Sequence, residues 1–244
     1  MLRFLTAGES HGKNLTVIVE GVPANLPITE GFIEKHMARR QVGYGRGGRM
    51  LIEKDRAEIL SGVRHGLTIG SPISMLIVNR DFSTGKGPDG VPWVDEMNVS
   101  PSEIPFEPIT NIRPGHADMP GIAKYMQTDA RNILERSSAR ESAARVAAGA
   151  LAQRFLEEFG IEVHGHVLCI GGIHATRSDN VDWGSLEANP FHRENLDGSK
   201  TAAVRCADPI AAEKMIEEID AARESGDSVG GIIEIVATGA PIGL

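Results

Sequence analysis

Glycine is scattered through this chain without any repeat, 28 times in 244 residues, where an average protein of this length carries about 7%. A strict period of three would make a collagen-type fibre. Its absence leaves a globular chain of short elements, broken by many turns at which the backbone is unshielded. A chain of 244 residues can bury a sizeable core as one large domain or two small ones. Hydrophobic residues are 41% and charged residues 24%, and no apolar run reaches the roughly 18 residues a membrane span needs. The start, Met1 to Glu9, meets an acid before a secretory stretch can form, so no export signal is read. Cys169 and Cys206 lack metal-ligand spacing and are expected as free thiols in a reducing cytoplasm.

The net charge of −8 argues against nucleic acid as the bulk partner. Its distribution is uneven. Residues 1–50 hold seven Lys/Arg against four acids, and residues 111–145 hold six against four. Two basic islands in an acidic chain suggest a local site for an anionic small molecule, with solvated surface charge as the plainer alternative.

Leu15 to Glu20 is β-branched and bounded by Asn14 and Gly21, which predicts a strand. Thr29 to Arg39 predicts a helix, with Thr29 as N-cap and Ile33 and Met37 on its inner face. Strands are expected near Ala57 to Val63 and at Ile73 to Val78. Five prolines between Asn79 and Thr110, with no sustained period, predict a long loop or flap. Ser138 to Glu141 reads as a capping box opening a helix, whose apolar face is Ala144, Ala147, Ala148, Leu151 and Phe155 and whose end lies near Gly160. Ile161 to Ile173 is expected as a strand, Asp208-Pro209 as the start of a second strong helix, and Val229 to Ala237 as a last strand.

Gly8-Glu9-Ser10-His11-Gly12 fits the nucleophile elbow of serine hydrolases by letter, but an elbow needs a helix after the serine, and here a strand follows. The same stretch nearly fits a P-loop, except that Asn14 replaces the magnesium-binding Ser/Thr and no helix follows. Arg39 to Arg49 places four arginines and four glycines in eleven residues with no acid. An RNA-binding segment with Tyr44 stacking on a base is one reading. An anion clamp is the stronger one, because arginine grips phosphate and carboxylate in bidentate fashion. Arg113-Pro114-Gly115-His116-Ala117-Asp118 sets a histidine in a turn between two charged residues. Arg136-Ser137-Ser138 stands at a helix start, where anion binding and ordinary capping by Glu141 compete. His164 and His166 share a strand face with no third metal ligand nearby and are read as surface histidines.

Taken together, Gly8 to Gly12 with Val19-Glu20-Gly21-Val22-Pro23, Arg40-Gln41 through Gly45-Arg46, Arg113 to Asp118, and Glu135 to Gly149 resemble chorismate synthase, in order along nearly the whole chain. The resemblance implies an α+β fold, a β-α-β sandwich of long helices between antiparallel sheets, as a single domain over 1–244 that lacks its C-terminal segment. It implies a cytoplasmic homotetramer with no nucleic-acid or membrane partner. The implied reaction is the 1,4-elimination of phosphate from 5-enolpyruvylshikimate 3-phosphate to chorismate, in the shikimate route to aromatic amino acids. Reduced FMN is required, and NADPH serves as flavin reductant in some members. By the same resemblance His11 is the acid for the leaving phosphate, Ser10 holds substrate, and Arg40, Arg46 and Arg49 offset its charge. His116 lies against the flavin, Arg136, Ser137 and Ser138 bind it, and Arg40 and Arg46 also match nicotinamide-binding positions. Family members run on past this length with a late Arg-His-Asp-Pro motif. The 244-residue chain is therefore expected to bind flavin weakly, to turn over slowly or not at all, and to expose apolar surface, with a non-catalytic anion- and flavin-binding remnant as the alternative.

Overall fold

The computed structural model describes residues 1–45, 54–100, 107–177, 180–188, 191–194, 200–202 and 204–243. The chain divides into two compact units, one of Met1–Arg39 and Leu51–Phe155, the other of Arg40–Met50 and Leu156–Leu244.

The first unit begins with β1 (Arg3–Ala7), β2 (Asn14–Glu20) and α1 (Glu30–Gln41), and continues through β3 (Glu58–Ile59), β4 (Val63–Arg64), β5 (Leu67–Thr68) and β6 (Ile73–Val78). Four strands form an antiparallel sheet in the order β1-β2-β6-β3, and β4 pairs with β5 in a small hairpin. Alternation along β2 puts Leu15, Val17 and Val19 on one face, where they lie opposite Ile77, Met75 and Ile73 of β6. All six are buried, each contributing on the order of 1.5–3 kcal/mol. Ile33 and Met37 of α1 bury into the same cluster. The helix starts where its N-cap predicts, with Thr29 Oγ1 accepting from the Phe32 N–H at 3.2 Å. No strand was expected over β1; Phe4 and Leu5 there are exposed on an edge strand, so no buried alternation marks it.

The proline-rich stretch predicted as a loop contains two single-turn helices, α2 (Asp81–Thr84) and α3 (Trp93–Glu96). Four residues are too few to show a helical period, and Pro92 caps α3 in an extended conformation where its missing N–H costs nothing. Next come α4 (Asp118–Tyr125), α5 (Arg131–Ser137), a 3-10 turn at Ala139–Glu141, and α6 (Ser142–Glu157). Only half of the predicted capping box forms. Ser138 Oγ accepts from the Arg140 N–H, whereas Glu141 turns to Thr6 Oγ1 and Arg145 Nε, both at 2.6 Å, stronger partners than a helix-end amide. Ala143, Ala144, Ala147, Ala148, Ala150 and Leu151 carry α6 into the core against β2 and β6.

The second unit holds β7 (Glu162–Ile170), β8 (Ile173–His174), α7 (Trp183–Ala188), a hairpin of β9 (Phe191–Glu194) and β10 (Lys200–Ala202), α8 (Pro209–Ser225) and β11 (Gly231–Thr238). The apolar run expected as one strand splits at Gly171 into β7 and β8, and the sheet runs β11-β7-β8. Asp208 Oδ1 caps α8 by accepting from Ile210 and Ala211 at 3.0 and 3.1 Å, and Ala211, Ala212, Met215 and Ile216 bury beside Val204 and Cys206. Both cysteines are buried free thiols. Tyr44, weighed as a base-stacking residue, donates to Asp220 at 2.7 Å under the Arg223 guanidinium. The reading of His164 and His166 as surface histidines is wrong for His166, which is buried. Trp183 stacks on His164 and meets His166 edge-on, and Glu234 accepts from His166 Nε2 at 2.9 Å. Ile232, Ile233 and Ile235 of β11 are exposed. Among the described residues no helix is long and apolar enough to cross a membrane.

Candidate active site

The link between β1 and β2, residues 8–13, is drawn into a tight loop. Gly8 takes a positive φ of 102°, and a Cβ there would meet the Asn14 carbonyl oxygen at 2.3 Å, so only glycine fits. From beneath, the buried Asn79 amide donates to the carbonyls of Glu9 and Gly12 at 3.0 and 2.8 Å. Asn79 is held in turn by Arg140 Nε at 2.9 Å, and the Arg140 guanidinium forms a buried ion pair with Asp55. The loop therefore rests on a polar network whose members lie far apart in sequence.

The loop presents Ser10 and His11 to α5. Ser10 is buried, with its N–H donating to the Glu135 carbonyl at 2.9 Å and its hydroxyl to Ser138 Oγ at 3.0 Å. Glu135 is buried on α5. Its Oε2 accepts from the His11 backbone N–H at 2.7 Å and its Oε1 lies 2.9 Å from His11 Nδ1. Burial pushes the Glu135 carboxyl up, but its bonds to His11 and the nearby Arg131 charge outweigh that and hold it below the usual range. An ionised carboxylate only accepts, so neutral His11 carries its proton on Nδ1, and Nε2 is where a proton is gained and lost. Trp93, at the start of α3, stacks on the imidazole at 3.9 Å and 20°. Arg131 lies over the other ring contact of that stack, 5.4 Å from the indole centroid, and joins Glu135 at 3.6 Å and Glu96 in a closer pair.

His116 is held by a different carboxylate. Asp118, fully buried in the first turn of α4, lies 2.7 Å from His116 Nδ1 and accepts from Arg113 through its backbone N–H, Nε and Nη2. The Arg113 side-chain bond leads the causes that hold Asp118 far below an ordinary aspartate, against the opposing effect of burial. The ionised acid again accepts a hydrogen bond from Nδ1–H. Arg113 Nη2, 2.9 Å from the same nitrogen, then directs its hydrogen to Asp118.

Both histidines line one cleft of about 660 Å³, with Asp81, Lys86, Gly87, Trp93, Arg113, Arg131, Glu135 and Ser138 in its walls. Lys86, Arg113 and Arg131 face two acids there, and each histidine that takes up a proton adds to the positive side. Such a cleft suits a multiply charged anion and can deliver protons to it from two points.

A sequence model of the chorismate synthase family matches residues 2–244. The chain belongs to that family. It is similar to chorismate synthases of Symbiobacterium thermophilum (48% identical over 249 residues), Moorella thermoacetica (50% over 244) and Syntrophotalea carbinolica (51% over 244), all of this chain being covered. It spans 59%, 58% and 58% of their respective lengths. A crystal structure of a chorismate synthase, 38% identical, superposes with a TM-score of 0.69 over 97% of this chain and 57% of that one. The α+β architecture with antiparallel sheets is thus that of the chorismate synthase family.

Of the residues singled out by sequence, the cleft brings together His11, His116 and Ser138, with Ser10 directly behind. Arg136 and Ser137 are turned elsewhere. Arg136 donates to the carbonyls of Thr6 and Gly8 and to Thr6 Oγ1, and Ser137 to the Ile133 carbonyl one turn back in α5. Arg40 is buried near the end of α1 and belongs to the second unit, while Arg46 and Arg49 lie outside the described residues. Sequence reasoning missed Glu135, Trp93, Arg131 and Asn79. Glu135 and Arg131 carry an i,i+4 opposite-charge signal, but nothing local ties them to His11.

Proposed function

We propose that this chain carries the acid half of a chorismate synthase site and acts in the elimination of phosphate from 5-enolpyruvylshikimate 3-phosphate. The observation that carries this reading is the pair of carboxylate-held histidines in one cleft with Lys86, Arg113 and Arg131, in a member of this family. Lys86, Arg113 and Arg131 meet the charge of the phosphate and carboxylates. His11 gives a proton to the phosphate oxygen as the carbon–oxygen bond breaks, neutralising the charge that develops on the leaving group. Ser10 and Ser138, joined by their hydroxyl bond, shape the wall beside it. Arg40, Arg46 and Arg49 are assigned to substrate binding on the family resemblance alone, Arg46 and Arg49 lying outside the described residues.

The donor set also fits reduced FMN, since Lys86, Arg113 and Arg131 would meet its phosphate and His116 its ring. When bound, the flavin supplies electron chemistry that no side chain offers and is not consumed overall. His116 and Ser138 are the cleft residues assigned to hold it, and His116 the one that exchanges a proton at its edge. Arg136 and Ser137 support that assignment from behind, by fixing β1 and α5. Arg40 and Arg46 are assigned to NADPH in flavin reduction, and the assembly is read as a cytoplasmic homotetramer, for which size-exclusion chromatography with light scattering is the check.

The test is anaerobic: the chain with chemically reduced FMN and 5-enolpyruvylshikimate 3-phosphate, following chorismate absorbance and the flavin spectrum together. Chorismate formed by the chain and lost in His11→Ala is the expected result. A flavin spectral change without product, untouched by His11→Ala, would overturn it in favour of an anion- and flavin-binding chain.

A further inference from the structure

We propose that Glu135 is the positioning residue of this site, holding the His11 ring in one tautomer and one orientation from within a buried chain of alternating charges that runs Glu96, Arg131, Glu135, His11. The proposal rests on the reading of His11 as the proton donor.

Three bonds make the case. The Glu135 backbone carbonyl fixes the Ser10 N–H at 2.9 Å, its Oε2 fixes the His11 N–H at 2.7 Å, and its Oε1 meets His11 Nδ1 at 2.9 Å. One residue, 124 positions away in sequence, thus sets the backbone of the loop and the ring it carries. Trp93 covers the ring face at 3.9 Å, which removes the remaining freedom of rotation about the side chain. Arg131 sits behind both, paired with Glu135, resting on Trp93 and closing on Glu96.

The Glu96 side chain is nearly as buried as that of Glu135, and its second oxygen, Oε2, has no hydrogen-bond partner among the described residues. Burial, opposed by Arg131, leaves its carboxyl above the ordinary glutamate range. A buried acceptor without a donor is costly, and Glu96 keeps Arg131 engaged from the side away from His11. With His11 protonated the four charges sum to zero, the state required of a proton donor facing a departing phosphate.

The amide at Glu135→Gln distinguishes positioning from bulk structure. Its single oxygen satisfies the short bond to the His11 N–H from the place of Oε2, 3.1 Å from Nδ1, so its NH2 takes the place of Oε1, nearer at 2.9 Å, and makes that nitrogen an acceptor. The neutral ring must then carry its proton on Nε2. Imidazole 15N spectra of histidine-labelled protein report this directly, with His11 assigned by the signals that vanish in His11→Asn. The wild-type chain is expected to show neutral His11 protonated at Nδ1, Glu135→Gln at Nε2, and Glu135→Asp and Glu96→Gln at Nδ1 as in wild type. In the elimination assay Glu135→Gln is expected to lower kcat on the order of 100-fold or more with KM changed less than about threefold, and Glu135→Asp to recover part of it. Nε2 protonation in the wild-type chain, or one tautomer shared by wild type and Glu135→Gln, would overturn the proposal even if Glu135→Gln were unstable. The spectra need no turnover, so a chain that fails to make chorismate yet shows the tautomer change keeps the positioning role and loses the proposed function.

Discussion

His11 and His116 face the same cleft and hand Nδ1 to a buried acid, yet the two arrangements are built at opposite ranges. Asp118 is two residues from His116 and is saturated by Arg113 five residues before it, so one hexapeptide makes the whole unit. Glu135 reaches His11 from another helix, and the His11 loop also needs Asn79, Arg140 and Asp55 beneath it. A self-contained turn keeps its geometry when its surroundings shift. A site assembled from four distant segments is rigid only while all four are in place.

The largest contrast is expected in turnover. His11→Ala should lower it about 1000-fold, within the span of general acid catalysis, and His116→Ala by about 10- to 100-fold, both read as initial rates of chorismate formation. Equal losses would erase the distinction between the two rings. Next in size, Asn79→Ala strips donors from two carbonyls of the loop and an acceptor from buried Arg140. A destabilisation of about 2–4 kcal/mol in urea unfolding is expected, with His11 mobile and His116 still ordered in NMR relaxation. Asp118→Asn should act the other way, lowering Tm by roughly 5 °C and freeing His116 while the His11 ring keeps its tautomer.

The smallest effect is in acid. Glu135 and Asp118 both have carboxyls held below their ordinary values, Asp118 the further. The unfolded carboxyls take up protons near pH 4 where the folded ones do not. Stability from these pairs is therefore complete above about pH 5.5 and lost progressively as pH falls toward the folded values. Urea midpoints from pH 7 to pH 3 should fall for the wild type, with the drop blunted more in Asp118→Asn than in Glu135→Gln.

The same difference of range governs what the sequence discloses. Elements with local causes are legible: β2 from its β-branched run between Asn14 and Gly21, α1 from Thr29 and α8 from Asp208-Pro209. The turn at His116 was also visible, because the charges flanking it are the ones that hold it. Glu135 stands out in the sequence only as part of a long motif, since its partner lies 124 residues away and no spacing rule reaches that far. Glu141 looked like half of a capping box until β1 supplied Thr6, and His166 looked exposed until Trp183 covered it. In each case a tertiary contact overrode a sound local expectation.

The chain has two tryptophans, and each lies on a histidine ring: Trp93 on His11 and Trp183 on His164. A protonated imidazole in contact with an indole quenches its emission, so the intrinsic fluorescence of this protein doubles as a pair of built-in proton sensors. Trp183→Phe would leave a single lamp, on His11, that dims as the ring gains a proton and brightens as the proton departs.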